Sequence, residues 1–288
     1  MSKYYNPQRT RNLFDPSSKK PYKISRADIE LFLKCPRCFY FHKRLGTPTP
    51  PTYPYTLNSA VDKLLKREYD IFRRLRLPHP NMTYHGIKCI PFAHKDLEIW
   101  RDPLRGGIRY LHAPTNLEIR GAIDDVWIDA NDELHVVDFK STARKGDVNI
   151  EADWQISFRR QIEIYQWIFR RNGFRVSDKA YIVYANADTS RTAFESKLEF
   201  DVCIIPYKGS DSWIEDVIVR LHECLLSPDL PPPGRDCDYC AYFDRRTLHE
   251  KNVRRSPVAK SSDRNSTLNW TRRLWVITRF VTAHVNLI

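Results

Sequence analysis

The stretches Gly121-Ala-Ile-Asp124 and Val136-Val-Asp-Phe-Lys140 decide the fold of this chain. Both belong to apolar, β-branched segments, and a polar turn around Asn131 separates them, which predicts two strands of a β-hairpin. Side chains alternate along a strand, so Asp138 and Lys140 share one face. A hairpin centred on Asn131 therefore predicts that two carboxylates and a lysine meet at one place.

The predicted hairpin places Asp124 directly opposite Asp138, with Cβ atoms about 5 Å apart. That spacing allows one divalent cation to bridge both carboxylates, and magnesium typically binds one or two carboxylates together with water and phosphate oxygens. Such an ion polarises a phosphodiester and stabilises its leaving oxygen. Lys140, on the same face, would position the nucleophile or stabilise the developing charge. The pattern predicts phosphodiester hydrolysis.

The helix that follows the second strand carries Gln161-Ile-Glu-Ile-Tyr165. Residues four apart share a helical face, so Gln161 and Tyr165 would reach a phosphate, a base edge or the active-site lysine together. The alternative is that Tyr165 is simply part of an amphipathic core helix, as aromatic residues at this spacing often are.

Taken together, the Gly-Ala-Ile-Asp, Val-Val-Asp-Phe-Lys and Gln-x-x-x-Tyr motifs resemble the RecB-like branch of the PD-(D/E)XK nuclease superfamily, over residues 24–242. The iron–sulfur nucleases of AddAB-type and CRISPR-adaptation systems are similar. The resemblance implies a restriction-endonuclease-like core, Mg²⁺ or Mn²⁺ dependence and DNA cleavage. It assigns metal binding to Asp124, Asp138 and the backbone carbonyl of Phe139. The catalytic residues it implies are Asp124, Asp138 and Lys140, and it assigns substrate binding to Gln161 and Tyr165.

One position departs from the family pattern. Such nucleases often carry Gly-x-x-His on an early helix, with the histidine as a metal ligand, whereas this chain has Ser59-Ala-Val-Asp62. An Asp62 carboxylate would suit a hard cation such as Mg²⁺. Asp62 is therefore expected to be a metal ligand, with a surface residue of a changed site as the alternative.

Two C-x-x-C pairs, Cys35/Cys38 and Cys237/Cys240, are almost 200 residues apart. Four thiolates suit zinc or an iron–sulfur cluster. A local zinc ribbon would separate its pairs by only about 15–20 residues. The arrangement is instead similar to the cluster that joins both ends of the iron–sulfur nucleases, although those usually have one cysteine upstream and three downstream. The resemblance favours a 4Fe–4S cluster, with Zn²⁺ as the alternative.

Helical and strand-like segments follow one another in the order helix, strands, helix, strands, helix. This order predicts one α/β or α+β domain with a central mixed β-sheet flanked by helices. The expected division is a basic N-terminal arm over 1–23, a nuclease domain over 24–244 and a basic tail of unknown role over 245–288. Ser25 and Asp28 are expected to cap the first helix.

The formal charge of +12 is unevenly distributed, since residues 245–288 hold ten Lys and Arg against two Asp and Glu. Net charge alone therefore does not establish nucleic-acid binding. The longest apolar stretch is too short for the roughly 20 residues that cross a bilayer. No signal peptide is visible, and seven cysteines point to reduced thiols or metal ligands. A cytoplasmic location is expected.

The sequence thus predicts a metal-dependent nuclease that cleaves DNA in repair, recombination or defence. Its expected partner is DNA, together with a helicase or another repair or defence protein, and no membrane. The alternative is a nucleic-acid-binding module whose active site has decayed and whose fold a Cys₄ metal site stabilises.

Overall fold

The computed structural model describes residues 6, 8–52 and 54–255, and within them the chain forms eight strands and eight α-helices. The strands are β1 (Tyr22–Ser25), β2 (Cys89–Pro91), β3 (Ile108–His112), β4 (Leu117–Gly121), β5 (Asp125–Asp129), β6 (Leu134–Thr142), β7 (Lys179–Ala187) and β8 (Phe200–Lys208). The helices are α1 (Arg26–Lys34), α2 (Pro36–Lys43), α3 (Thr56–Leu75), α4 (Pro80–Tyr84), α5 (Leu97–Arg101), α6 (Ile156–Arg171), α7 (Ile214–Leu226) and α8 (Asp238–Arg255).

A five-stranded mixed sheet, ordered β2-β5-β6-β7-β8, forms the centre of the fold. The β6–β7 pair is parallel and is connected through α6, whereas the other neighbours are antiparallel. In the β5–β6 hairpin Asp125 pairs with Val137 and Ile128 with Leu134. This is the predicted register, and the predicted central mixed sheet flanked by helices is confirmed.

The sequence predicted that Gly121-Ala-Ile-Asp124 lies within one strand of the hairpin, and that prediction is wrong. The chain leaves β4, which belongs to a separate sheet ordered β1-β4-β3, bends over residues 122–124 and enters the central sheet as β5. The backbone groups of the bend find partners outside the sheet ladders. The Ile123 amide donates to the Trp100 carbonyl at 3.1 Å, and the Tyr165 hydroxyl donates to the Ala122 carbonyl at 2.6 Å.

Helices α3 and α6 pack against opposite faces of the central sheet. Leu65 and Tyr69 of α3 share a cluster with Phe139 of β6. Ile162 of α6 belongs to the main core together with Val136. Val136 and Phe139 lie an odd number of positions apart in β6, so their side chains point to opposite faces of the sheet. The alternation of β6 thus directs Asp138 to the same face as Val136, toward α6.

The predicted cap of α1 is confirmed, because Ser25 and Asp28 form a reciprocal capping box. Part of the expected N-terminal arm also belongs to the folded unit: Phe14 is buried in the main core, and the end of the arm lies in β1, which pairs with β4.

By its internal contacts the chain divides into Met1–Cys237 and Asp238–Ile288, whereas the sequence suggested a division after residue 244. The described part of the second unit is α8. The remainder of the expected basic tail, 256–288, lies outside the described residues. Within the part that the structure describes, no helix combines the length and apolar character needed to cross a membrane.

Candidate active site

Asp138 is the most deeply placed carboxylate of the predicted site, with 1% of its surface exposed. Its Oδ1 accepts a hydrogen bond of 2.7 Å from the Gln161 amide, and the Lys140 ammonium forms an ion pair with Oδ2. Burial raises the pKa of Asp138 to about 6, the charge of Lys140 acts in the opposite direction, and the charge of Asp124 raises it further. The structure therefore brings Asp124, Asp138, Lys140 and Gln161 together, as the sequence predicted.

Asp124 stands at the end of the bend, one residue before β5. Its Oδ2 accepts the backbone N–H of Phe139 at 2.9 Å, and its Oδ1 lies 3.0 Å from the ammonium of Lys66. Burial opposes ionisation of Asp124, yet the charges of Lys66 and Lys140 and the Phe139 amide outweigh it and hold its pKa below the usual range. Asp124 is thus kept as a carboxylate beside a carboxyl group whose pKa is raised.

Asp62 reaches this site from α3. The Lys66 ammonium lies 2.9 Å from Asp62 and 3.0 Å from Asp124, so one lysine links the two carboxylates. Burial and the charge of Asp124 raise the pKa of Asp62. Asp62 therefore occupies the place expected of a third ligand, while its ligand role stays a prediction. Lys66 was missed by the sequence reasoning, although its spacing of four residues from Asp62 on a helix is a readable signal.

Gln161 and Tyr165, the predicted substrate-binding residues, both make hydrogen bonds within the protein. Gln161 orients Asp138, as described above. Tyr165 is buried, with 3% exposed, and fixes the bend through Ala122. A Cβ atom at Gly121 would lie 2.4 Å from the Tyr165 ring, so the glycine allows this contact. Substrate binding by either residue stays a prediction.

The donor set fits a hard divalent cation. Asp138 Oδ2 is buried and, among the described residues, has no hydrogen-bond partner besides the ion-pair contact with Lys140. The ammonium groups of Lys66 and Lys140 pair with Asp124 and Asp138, at the oxygens that would bind the cation. Oxygen donors of this kind are those that Mg²⁺ and Mn²⁺ prefer. Asp124 and Asp138 would hold the ion, and the carbonyl of Phe139 stays a predicted ligand.

A buried ionic network lies next to the site, at Asp125, and it was not predicted from the sequence. Arg73 and Arg101 both contact Oδ1 of Asp125, which is fully buried, and Arg101 also binds Asp70 at 2.9 Å. The Arg101 Nε donates to the carbonyl of Asp124 at 3.0 Å. The network therefore fixes the backbone from which the Asp124 carboxylate projects.

The cysteines form a second candidate metal site, of the opposite chemical type. Cys35, Cys38 and Cys237 bring their sulfur atoms within 4.8 Å of one another, and the Cys38 and Cys237 sulfurs are 3.5 Å apart. Cys240 follows Cys237 by three residues in the sequence and is the predicted fourth thiol of this group. The predicted joining of N-terminal and C-terminal parts by cysteines is confirmed.

Backbone groups prepare Cys35 for this role. The Gly234 amide donates to its sulfur at 3.2 Å and the Cys38 amide at 3.4 Å. Burial opposes ionisation of Cys35, but these hydrogen bonds and those from neighbouring thiols lower its pKa to about 7. A Cβ at Gly234 would lie 2.0 Å from the Lys34 carbonyl, so only glycine permits this approach. Cys35 therefore ionises to the thiolate more readily than an ordinary cysteine.

Comparison with known proteins agrees with this geometry. A family model described as the PD-(D/E)XK nuclease superfamily matches residues 62–245. No curated protein matches the sequence. Among solved structures, one described as "Crystal structure of SSO0001" aligns at 16% identity with a TM-score of 0.35, covering 78% of this chain and 86% of that one. A similarity of that size establishes nothing about a shared function.

Proposed function

This chain belongs to the PD-(D/E)XK nuclease superfamily, and we propose that it is a Mg²⁺- or Mn²⁺-dependent nuclease that hydrolyses phosphodiester bonds of DNA. One observation carries the proposal. The Asp138 carboxylate is only 1% exposed and lies beside Asp124, and the ammonium groups of Lys140 and Lys66 flank the two side chains. Like charges held together at this depth are costly unless a cation is to bind.

Each residue has a distinct task in the proposed reaction. Asp124 and Asp138 would hold a divalent ion, which would supply Lewis-acid chemistry to the phosphoryl group and its leaving oxygen. Lys140 stabilises negative charge that develops on the phosphate, because its ammonium stands at the oxygen of Asp138. Gln161 keeps the Asp138 carboxylate in one orientation. Tyr165 and Arg101 hold the bend and thus the position of Asp124.

The place of this chain within the superfamily is part of the proposal. The order of the three sequence motifs supports the RecB-like branch, and that branch suggests DNA repair, recombination or defence. DNA would be the partner, with a helicase or another repair or defence protein acting beside it. Seven cysteines interpreted as reduced thiols or metal ligands suit a reducing compartment such as the cytoplasm.

The family resemblance and the distance between the sulfur atoms favour different metals for the cysteine group. The resemblance favours a 4Fe–4S cluster. A tetrahedral zinc ion with Zn–S bonds of about 2.3 Å separates its sulfurs by about 3.8 Å, and the observed 3.5 Å between Cys38 and Cys237 is close to that spacing. Visible absorbance and metal analysis of protein purified without oxygen distinguish the cluster from zinc. A cluster gives brown protein whose visible absorbance dithionite bleaches, whereas zinc gives colourless protein with one stoichiometric Zn²⁺.

A second candidate function is a nucleic-acid-binding module without catalysis. It is favoured by Lys66, whose ammonium joins Asp62 to Asp124 and neutralises carboxylates that a metal would otherwise require. Two charges at this separation attract strongly in a partly buried site. On this view the lysine replaces the metal permanently.

Incubation of the full-length protein with single- and double-stranded DNA separates the two candidates. We expect cleavage with Mg²⁺ or Mn²⁺ and none with EDTA, and RNA of the same sequence serves as the test of sugar preference. Binding of DNA without cleavage in either metal would favour the non-catalytic module and contradict the nuclease.

A further inference from the structure

Lys66 of α3 lies between two carboxylates of the candidate active site that come from distant parts of the chain. Its ammonium is 2.9 Å from each oxygen of Asp62, one helical turn earlier, and 3.0 Å from Oδ1 of Asp124. Helix geometry favours the Asp62 contact, because the two residues are four apart. The Asp124 contact joins side chains 58 residues apart, so it belongs to the tertiary structure of the site.

Both oxygens of Asp124 have a partner in this arrangement. Oδ2 accepts the Phe139 N–H at 2.9 Å, and Oδ1 is the oxygen that Lys66 contacts. The side chains of Lys66 and Asp124 are each only 20% exposed. Binding of a divalent ion at Oδ1 would bring a second cation to the place where the ammonium stands, and like charges repel strongly where little water screens them. Lys66 and the ion therefore compete for Asp124.

Lys66 differs from Lys140 in how firmly its ammonium is held. Within the described residues, every hydrogen bond and ion pair of Lys66 goes to Asp62 or Asp124. Lys140 combines its ion pair with a position over the Phe158 ring, 4.8 Å from the ring centroid. The flexible four-carbon stem of lysine lets an ammonium change partners while its helix stays in place. Lys66 is thus the ammonium that is free to leave the carboxylates.

The formal charges of the site indicate when this exchange is favourable. The carboxylates of Asp62, Asp124 and Asp138 face the ammonium groups of Lys66 and Lys140, which leaves one negative charge in excess. Addition of a divalent ion without an anion would turn this excess into one positive charge. A phosphodiester group that arrives with the ion carries one negative charge and restores the balance. It also offers oxygens to the displaced ammonium, since lysine binds phosphate as a point charge.

We propose that Lys66 makes tight binding of the divalent ion depend on the substrate. Its ammonium holds Asp62 and Asp124 until the ion and a phosphate group bind together, and it then pairs with the phosphate. This rests on the proposed nuclease function and gives Lys66 a task in it. The result is a coupling between ion and substrate, and such couplings typically change each affinity by about 5- to 150-fold, equally in both directions.

The test measures ion binding rather than cleavage. Full-length protein is titrated with Mn²⁺, and free Mn²⁺ is followed by electron paramagnetic resonance, with and without oligothymidine whose phosphorothioate linkages resist cleavage. Lys66→Met removes the ammonium and keeps a side chain of similar length, whereas Lys66→Arg keeps the charge. Lys63→Met is the matched control, because Lys63 is an exposed lysine of the same helix.

We expect Lys66→Met to bind Mn²⁺ without oligonucleotide at least about tenfold more tightly than wild type, because no ammonium competes. The oligonucleotide should strengthen Mn²⁺ binding about tenfold in wild type and by a smaller factor in Lys66→Met. Lys63→Met and Lys66→Arg should behave as wild type does. Unchanged or weaker Mn²⁺ binding by Lys66→Met, or an equal gain in Lys63→Met, would overturn the proposal.

Melting temperatures give a second readout. In EDTA, Lys66→Met should melt below wild type, because Asp62 and Asp124 lose their counter-charge. At one Mn²⁺ concentration its melting temperature should rise more than that of wild type, since a ligand stabilises the fold according to its affinity. If Lys66→Met does not fold, Lys66→Gln replaces it in the titration, because the amide keeps a donor without the charge. Equal Mn²⁺ shifts in wild type and variant would contradict the competition.

Failure of this proposal and failure of the nuclease give different results. Tighter Mn²⁺ binding by Lys66→Met, without DNA cleavage by wild type, supports the competition and contradicts the nuclease. Metal-dependent cleavage by wild type, with equal Mn²⁺ affinities of wild type and Lys66→Met, supports the nuclease and contradicts the competition. Wild-type protein that binds no Mn²⁺ even with the oligonucleotide, beside a Lys66→Met protein that does, would mean that the lysine never exchanges.

Discussion

The carboxylate site and the cysteine site are both candidate metal centres, and they are built on opposite principles. The first holds Asp138 buried and close to Asp124, so that burial and the charge of Asp124 both raise the pKa of Asp138, which lowers the stability of the fold. The second holds thiols under backbone N–H donors, between α2 and the segment that ends at Cys237. The difference predicts that damage to the first removes activity, whereas damage to the second removes stability.

The largest expected effect tests the first half of this contrast. Asp138→Asn removes the charge that would bind the cation, so cleavage should fall to the rate measured with EDTA, while the melting temperature should not decrease. The control is Asp216→Asn, an exposed residue of α7. Cleavage by Asp138→Asn at the wild-type rate would remove Asp138 from the active site.

The contrast also shows what a sequence can reveal. The Asp124, Asp138 and Lys140 group was predictable because strand alternation and hairpin register are local rules, and the observed pairing of Asp125 with Val137 follows them. The bend at 122–124 was not predictable, because its partners Trp100 and Tyr165 come from distant segments.

The ionic network under the site was hidden for a similar reason. Asp125 follows Asp124 in the sequence, but its carboxylate contacts Arg73 and Arg101, which come from two separate helices. Nothing local marks those arginines as buried.

The next effect tests the second half of the contrast. A metal that joins Cys38 to Cys237 closes a loop across 199 sequence positions, and a cross-link over such a loop is worth about 5 kcal/mol on loop-entropy arguments. Metal binding adds to this because the unfolded chain lacks the site. Cys35→Ala or Cys240→Ala should therefore lower the melting temperature sharply and reduce cleavage only in proportion to the loss of folded protein.

Cys224→Ala is the matched control, since this half-buried thiol lies in α7 with a pKa raised by burial alone. Differential scanning fluorimetry with parallel metal analysis gives the comparison. Wild-type melting and wild-type metal content in the Cys35 variant would show that Cys35 does not hold a structural metal.

A smaller effect is expected at Lys140. Its ammonium pairs with Asp138 and lies 4.8 Å from the ring centre of Phe158, so it is held close to where the phosphate would react. Lys140→Ala should reduce kcat by about 10²-fold, as the loss of one electrostatic stabiliser commonly does. Lys140→Arg should recover part of the rate, because the charge returns with a different shape. Single-turnover cleavage measures both, and full activity of the alanine variant would contradict the role of Lys140.

The smallest effect distinguishes the two aspartates from each other in metal-free protein. The pKa of Asp138 is raised to about 6, compared with about 3.9 in an unfolded chain. A raised pKa gives stability that is present below the unfolded value and lost as pH rises toward 6, so ionised Asp138 destabilises the fold at neutral pH by about 3 kcal/mol. Asp138→Asn should therefore raise the free energy of unfolding at pH 7 in EDTA and weaken its decline between pH 4 and 6. Asp124 has a lowered pKa, so Asp124→Asn should lower the same quantity. Denaturant unfolding at pH 4 and pH 7 measures both changes, and a shift of both variants in one direction would contradict this division of roles between the two carboxylates.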